Sequence, residues 1–296
     1  MPTALITGLH GFTGRYLADE LRAQNYDIVG IGTVEGEHPG TTSIECDLND
    51  RSAVRDALKS VSPDVVVHLA GIAFPAHDDT HEIYRTNIVG TRNLLEALAS
   101  HARPPRAVLL ASSANIYGNA LISPIAETAT PAPANDYAVS KLAMEYMARL
   151  WMSRLPITFA RPFNYTGVGQ SDLFLLPKIV DHFRRRAPVI ELGNLDVIRD
   201  FSDIRNVVRS YRALLDANQP GEAFNICSGV GHSLQAVLSI MQELSGHEIK
   251  VVINPAFVRS NEVHQLIGSR AKLDAAIGSL APIPLRETLQ WMLNAP

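Results

Sequence analysis

Two cysteines in 296 residues, Cys46 and Cys227, are too few and too far apart for a disulfide scaffold. Neither has the Cys-x-x-Cys neighbour of a zinc-thiolate site, so both are expected to be ordinary buried thiols. No apolar run approaches the roughly 20 residues that cross a bilayer. Charge of one sign is also missing: 26 Lys and Arg against 30 Asp and Glu leave a net charge of −4. No like-charged block marks a nucleic-acid stripe or a polybasic membrane anchor. The short run Arg184, Arg185, Arg186 reads either as a solvated helix end or as a steering patch for an anion. His10, His68 and His264 lie in suggestive segments, but without HExxH or comparable spacing they define no metal site. The opening "MPTALITGLHGFTG" has no basic leader before its first apolar strand, and a cytoplasmic location is expected.

What is present is 46% hydrophobic and 19% charged, enough for a large core without staples. "TALITG" reads as a buried strand, and "GLHGFTGRYLADELRAQ" leads through a glycine-rich turn into a helix with Tyr16, Leu17 and Leu21 at helical spacing. "YDIVGIG" and "PDVVVHLAG" are further strands around the amphipathic "SAVRDALKSV". "NIVGTRNLLEALASH", "RAVLLASS", "DYAVSKLAMEYMARLWMSR" and "PITFARPFN" continue the alternation, which predicts a parallel sheet with both faces covered. Beyond Asn164, glycines and prolines separate shorter elements. The expected organisation is a cofactor-binding domain over 1–165, with 201–227 returning to it. Residues 166–200 and 228–296 form mainly a smaller α/β lobe that binds substrate.

Gly8, Gly11 and Gly14 make a GxxGxxG turn directly after the first strand and at the start of the first helix. There, missing side chains let a phosphate approach backbone N–H groups. In this context the motif predicts dinucleotide binding on a Rossmann-like α/β sheet. The acidic residue usually found after the second strand is not there; Gly32 and Thr33 occupy that place, with Glu35 slightly later. NADPH and NADH both stay open, because no arginine fills the gap either. Asp47 and Leu48 are candidates beside adenine, although Asp47 could equally cap a helix. Tyr137 and Lys141 in "YAVSK" lie four apart on one helix face, where an ammonium can hold a phenol near its proton-transfer range. Upstream, a strand ends at Ser112 and Ser113 and offers a hydroxyl to polarise a carbonyl.

Through "TGLHGFTG", "HLAG", "SSANIYG", "YAVSK" and "RPFN", the chain resembles the extended short-chain dehydrogenase/reductase family over more than half its length. The resemblance implies that Tyr137 is the acid/base. Lys141 would bind the nicotinamide ribose and lower the tyrosine's pKa, and Ser113 would hold the reacting oxygen. It adds Asn87 as a support and places His10, Phe12, Thr13, Leu69, Ala70 and Gly71 with the glycines around the cofactor. The stretches "RPFNYTGVGQ", "LGNLDVIRDFSDIRNVV" and "RSNEVHQLIGSRAKL" look most like the branch acting on GDP-hexoses. That likeness points to Asn164, Lys178, Arg199 and Arg259 as contacts to the nucleotide sugar, while Glu262 could accept from guanine. Dehydratases of this branch carry a Glu where this chain has Asn115, which argues against water elimination and leaves Asn115 as a sugar contact or a turn cap.

The implied reaction is NAD(P)H-dependent reduction of the C4 ketone of GDP-4-keto-6-deoxy-D-mannose to GDP-D-rhamnose. A GDP-6-deoxy-talose product, a nucleotide-sugar 4-epimerase and a non-catalytic dinucleotide sensor stay open as alternatives. A homodimer through a four-helix bundle is a further implication. For Leu142, Met147 and Trp151, internal packing is an equal expectation.

Overall fold

The computed structural model describes residues 1–33, 36–72, 79–258 and 263–295. The first strand, β1 (Thr3–Thr7), is nearly all buried, as expected of an apolar run covered on both faces. Gly8 to Gly11 turn the chain into α1 (Phe12–Arg22), whose Gly14, Leu17, Ala18 and Leu21 face inward at helical spacing. Then come β2 (Asp27–Gly32), β3 (Thr41–Glu45) and α2 (Arg51–Lys59), the helix capped by Asp50 accepting from the Ser52 and Ala53 N–H groups. After β4 (Val65–His68), a short α3 (Thr80–Tyr84) runs through a π-helical stretch, Arg85–Gly90, into α4 (Thr91–Ala99). β5 (Ala107–Ala111) ends in a 3-10 turn, Ala114–Tyr117. Asn135 caps α5 (Asp136–Arg149), and β6 (Ile157–Pro162) follows.

The remaining chain alternates between the large sheet and a smaller region with two sheets of its own. β7 (Asn164–Thr166), α6 (Leu175–Arg184), β8 (Val189–Leu192) and β9 (Ile198–Asp203) build the smaller region. α7 (Ile204–Ala217) and β10 (Ala223–Ile226) return to the larger one. β11 (Gly231–Ser233), α8 (Leu234–Ser245), β12 (Lys250–Ile253), β13 (Gln265–Leu266), α9 (Ala271–Ile277) and α10 (Leu285–Asn294) complete the chain.

The large sheet runs β10-β6-β5-β4-β1-β2-β3 with every pair parallel. One face is covered by α1 and α7 through Leu17, Leu21, Val207 and Tyr211. The other is covered by α2, α4 and α5 through Val54, Leu58, Leu94, Leu98 and Met144. This is the Rossmann-like α/β fold that the sequence predicts. Strand order reverses between β1 and β4, so the connections leaving their carboxyl ends run to opposite sides and leave a crevice outside the paired strand ends. The smaller region has a sheet β11-β9-β13 with β7 on β9, and a β12-β8 pair, around Ile179, Phe183, Ile190, Met241 and Leu289.

Three details depart from the sequence reading. β3 was not anticipated, because "TTSIE" is a polar edge strand with little hydrophobic signal. α9 is likewise new, and its Leu273 packs with the α7 side of the large sheet, not with the smaller core. α5 stops at Arg149, short of "LWMSR". The arginine run is a solvated helix end, one of the two readings offered for it: all three residues are exposed where α6 stops, and each has a partner. Arg184 donates to the Met292 carbonyl, Arg185 pairs with Asp181, and Arg186 reaches the Ser245 carbonyl. These contacts tie α6 to α10 and α8. No helix of the described residues is long and apolar enough to cross a membrane.

Candidate active site

The crevice begins at the glycine-rich turn. Gly8, at φ +73°, donates to the Ile31 carbonyl, and Gly11 donates back to Gly8 at 3.1 Å. At Gly14 a Cβ would lie 2.3 Å from the Gly8 carbonyl oxygen, so only glycine lets α1 start this close to β1. A cavity of about 590 Å³ opens here. Gly8, His10, Gly11, Asp47, Leu48, Leu69, Ala70 and Gly71 all line it. Open N–H groups at a helix start, a floor of glycines and an elongated crevice at the strand switch fit a dinucleotide. A larger cavity of about 750 Å³ between α2 and α4 shares Asp47 with it but is lined by none of Ser113, Tyr137 and Lys141.

Several of the expected cofactor residues have additional structural duties. His10 Nε2 is 2.9 Å from the Ser43 hydroxyl on β3. Asp47 accepts from the Asn49 N–H, whereas the α2 cap is Asp50. Phe12 stacks on Tyr165 at 6.2 Å with the planes 10° apart, and Thr13 Oγ1 lies 2.9 Å from the Tyr165 hydroxyl. The phosphate turn is therefore bound directly to β7.

Ser113, Tyr137 and Lys141 come from two elements beside this crevice; none of the three lines the cavity itself, and Gly71 on its wall is what brings Lys141 up to it. Ser113 caps the 3-10 turn after β5, accepting from the Asn115 N–H at 3.1 Å. Its hydroxyl also faces the Tyr137 phenol. Tyr137 lies in the first turn of α5. Burial pushes its pKa up to about 12; the Ser113 hydroxyl opposes that rise and nearby Tyr165 adds to it. One turn on, Lys141 Nζ donates to the Ala111 carbonyl at 2.9 Å. Burial pulls this ammonium down to about 8 against the raising effect of Glu145.

Gly71 brings the crevice wall against this group. A Cβ there would stand 2.7 Å from Asn87 Oδ1 and 3.3 Å from Lys141 Nζ. Asn87 is locked in turn: Oδ1 accepts from the Ile72 N–H at 2.9 Å, and Nδ2 donates to Ser140 Oγ at 2.9 Å. Ser112, next to Ser113, is buried with no hydrogen-bond partner for its hydroxyl among the described residues.

Beneath Lys141, Glu145 is fully buried in a bidentate pair with Arg161, at 2.9 and 2.7 Å. Arg161 also donates to the Tyr117 hydroxyl, which donates to Asn225 on β10. The guanidinium neutralises Glu145 in a site where an unpaired carboxylate would be costly. It also stitches α5 to β6 and β10.

The expected substrate residues are held differently. Asn115 is half-buried and is not the cap; that role falls to Ser113. Asn164 is exposed on β7. Lys178 donates to the Glu191 carbonyl at 2.9 Å and stands 4.3 Å over the Phe257 ring. Arg199 donates to the Ile198 and His264 carbonyls at 3.2 and 3.3 Å. Beside it, buried Asp200 gathers the Ser228, Gly229 and Gly268 N–H groups and fixes the loops around β9. Arg259 and Glu262, like Glu35, lie outside the described residues.

Residues 4–227 match the NAD dependent epimerase/dehydratase family. The chain belongs to that family. A GDP-6-deoxy-D-talose 4-dehydrogenase of Aggregatibacter actinomycetemcomitans is 34% identical over 93% of this chain and 91% of its own. The GDP-6-deoxy-D-mannose reductase of Pseudomonas aeruginosa is 31% identical over 98% and 95%. A structure from the same organism, RMD complexed with NADPH, superposes with a TM-score of 0.87 at 30% identity over 99% and 98%. A crystal structure of a putative epimerase from Burkholderia cenocepacia superposes with a TM-score of 0.94 at 54% identity over 99% and 97%. As a member of the epimerase/dehydratase family, the chain is an NAD(P)-dependent oxidoreductase of nucleotide sugars.

Sequence reasoning missed Thr7, Thr91, Tyr165 and the Glu145–Arg161 pair. Nothing in local spacing distinguishes Thr7 or Thr91 from ordinary core threonines. Glu145 alone carried a signal, since it follows Lys141 by four positions on a helix and must be buried with it.

Proposed function

We propose that the protein reduces the C4 ketone of GDP-4-keto-6-deoxy-D-mannose with NAD(P)H to give GDP-D-rhamnose. The observation that carries this reading is a buried phenol facing the Ser113 hydroxyl and one helical turn from the buried Lys141 ammonium. Ketone reduction needs a hydride, a donor on the carbonyl oxygen and a proton. A dinucleotide bound in the glycine-lined crevice would supply the hydride for C4. Ser113 orients the ketone oxygen, and Tyr137 gives its proton to that oxygen as negative charge develops. Lys141, against Gly71 and Asn87, holds the nicotinamide ribose and stabilises the resulting tyrosinate until solvent reprotonates it.

Asn115 supports reduction over dehydration, because an amide cannot take up and return the proton that elimination requires. Gly8, His10, Gly11, Phe12, Thr13, Gly14, Asp47, Leu48, Leu69, Ala70, Gly71 and Asn87 hold the dinucleotide in this reading. Asn164, Lys178, Arg199, Arg259 and Glu262 hold the GDP-sugar. An arginine fork suits diphosphate oxygens geometrically.

The likeness to the Aggregatibacter dehydrogenase favours a second product, GDP-6-deoxy-talose, and the likeness to the Burkholderia epimerase favours epimerisation; the same three residues serve all of these. Incubating the protein with GDP-4-keto-6-deoxy-D-mannose and NADPH or NADH, with product NMR, separates them. One nicotinamide consumed per GDP-D-rhamnose formed is the expected result. The C4 epimer as product replaces the stereochemistry alone. Interconversion of reduced sugars without net nicotinamide consumption overturns the reductase.

We further propose a homodimer through the outer face of α5. Val139, Tyr146 and Leu150 share that face, with the last two 64% and 80% exposed. Met147 and Trp151 pack against the protein's own core, as does Leu142.

A further inference from the structure

Behind the crevice, hydrogen bonds form one chain in which every proton is placed by geometry. It starts at Thr91, whose hydroxyl donates to the Asn87 carbonyl at 2.7 Å. A carbonyl only accepts, so the single Thr91 proton is spent there. His68 Nε2, 2.7 Å from the same hydroxyl, must then be the donor. His68 is 2% exposed, and the charged group acting on it is the Lys141 ammonium, so the ring is neutral and carries one N–H. Its Nδ1 must accept, and the partner at 2.7 Å is the Thr7 hydroxyl. Thr7 Oγ1 in turn accepts from the Leu69 and Ala70 N–H groups, at 3.1 and 3.0 Å.

The other end of the chain is equally determined. Asn87 presents Oδ1 to the Ile72 N–H, so its Nδ2 is the group that donates to Ser140 Oγ. The Ser140 hydroxyl then donates to the Tyr137 carbonyl at 2.8 Å. One end therefore fixes the backbone lining the cofactor crevice, and the other fixes the first turn of α5.

We propose that His68, held as its Nε2–H tautomer, is a positioning residue that keeps the Tyr137–Lys141 turn in register with the crevice wall at Leu69–Ile72. It touches neither substrate nor cofactor; it acts through Thr91 and Asn87 on one side and Thr7 on the other. The proposal rests on the reading that Tyr137 and Lys141 carry the reduction.

Two measurements test it. In the whole protein labelled with 15N-histidine, long-range proton–nitrogen correlation reports the His68 tautomer without reference to activity. The Nε2–H form, unchanged over about pH 5 to 8, is expected; an Nδ1–H form or titration in that range overturns the proposal. The second measurement compares His68→Asn with His68→Gln. An asparagine amide reaches only the Nδ1 position and serves Thr7, whereas a glutamine amide reaches the Nε2 position and can donate to Thr91. His68→Asn should lower kcat about 10- to 100-fold while NADPH affinity stays within about threefold. His68→Gln should rescue kcat to within about threefold of wild type. Equal loss of kcat and NADPH affinity in both variants, tracking their melting temperatures, would reduce His68 to a structural residue and overturn the proposal. Tyr137→Phe is the control for the underlying reading: if it keeps full activity, that reading fails, while the tautomer result still decides the hydrogen-bond chain.

Discussion

On the large sheet, Tyr137 and Lys141 are buried within one turn of α5, and their neighbours Asn87, Ser140, Glu145 and Arg161 are buried with them. In the smaller region, Lys178 and Arg199 are only partly buried and are steadied by main-chain carbonyls at strand ends. The first arrangement leaves no freedom in the groups proposed to move a proton. The second lets the groups proposed to hold a ligand adjust to it.

The contrast is sharpest at the phenol. Tyr137→Phe keeps the ring's packing and removes only the proton donor, so kcat should fall about 10²- to 10⁴-fold with NADPH binding retained. Titrating cofactor fluorescence alongside turnover separates the two. Next in size is Glu145→Gln, which leaves the buried Arg161 charge without its partner and should cost about 3–5 kcal/mol of stability. Denaturant unfolding measures that loss. If Glu145→Gln is as stable as wild type, the large-sheet residues are less tightly restrained than the buried pair implies.

The pH dependence follows from the same burial. Reduction requires the phenol protonated and the Lys141 ammonium charged. The phenol's pKa, raised to about 12, keeps it protonated throughout the working range, so the lysine, lowered to about 8, sets the limit. The reduction rate should therefore be level below about pH 8 and fall about tenfold per unit above it. A rate that rises through that range would mean that the tyrosinate is the working form and that the protein runs as an oxidant of the alcohol.

In the smaller region the expected effects are milder and of another kind. Arg199→Ala or Lys178→Ala removes a charged donor from a partly exposed position. KM for the nucleotide sugar should rise about tenfold, with kcat within about threefold. A loss confined to kcat would place these residues with the restrained group and erase the contrast.

How much of this could be read in the sequence follows the same division. The glycine turn, Ser113 and the Tyr137–Lys141 pair are legible because each is a local pattern on a strand end or helix face. The chain from Thr7 through His68 to Thr91 is not. Its first members lie 61 positions apart and the next 23, and only the sheet order brings them together. His68 sits in a suggestive segment of the sequence but without metal-ligand spacing, and nothing local shows that its two nitrogens meet threonine hydroxyls. β3 escaped notice because an exposed edge strand needs little hydrophobic patterning. Arg199 was read from resemblance, but the buried Asp200 that fixes the loops around it gives no sign in sequence until those loops are assembled.

The two faces of α5 extend the comparison to its smallest effect. Tyr137, Lys141 and Glu145 point inward at spacings of four, while Val139, Tyr146 and Leu150 recur on the opposite face, exposed to different degrees. Solvent has no use for a tyrosine and a leucine this open on one helix, and burying them against a second copy would remove apolar area from water. Tyr146→Glu combined with Leu150→Glu places like charges across such an interface. Sedimentation should show the mass of a dimer for the wild type and of a monomer for the variant, with kcat within about twofold because neither side chain reaches the crevice. If kcat collapses along with the mass, the outer face of α5 restrains the catalytic turn as firmly as Arg161 does from within.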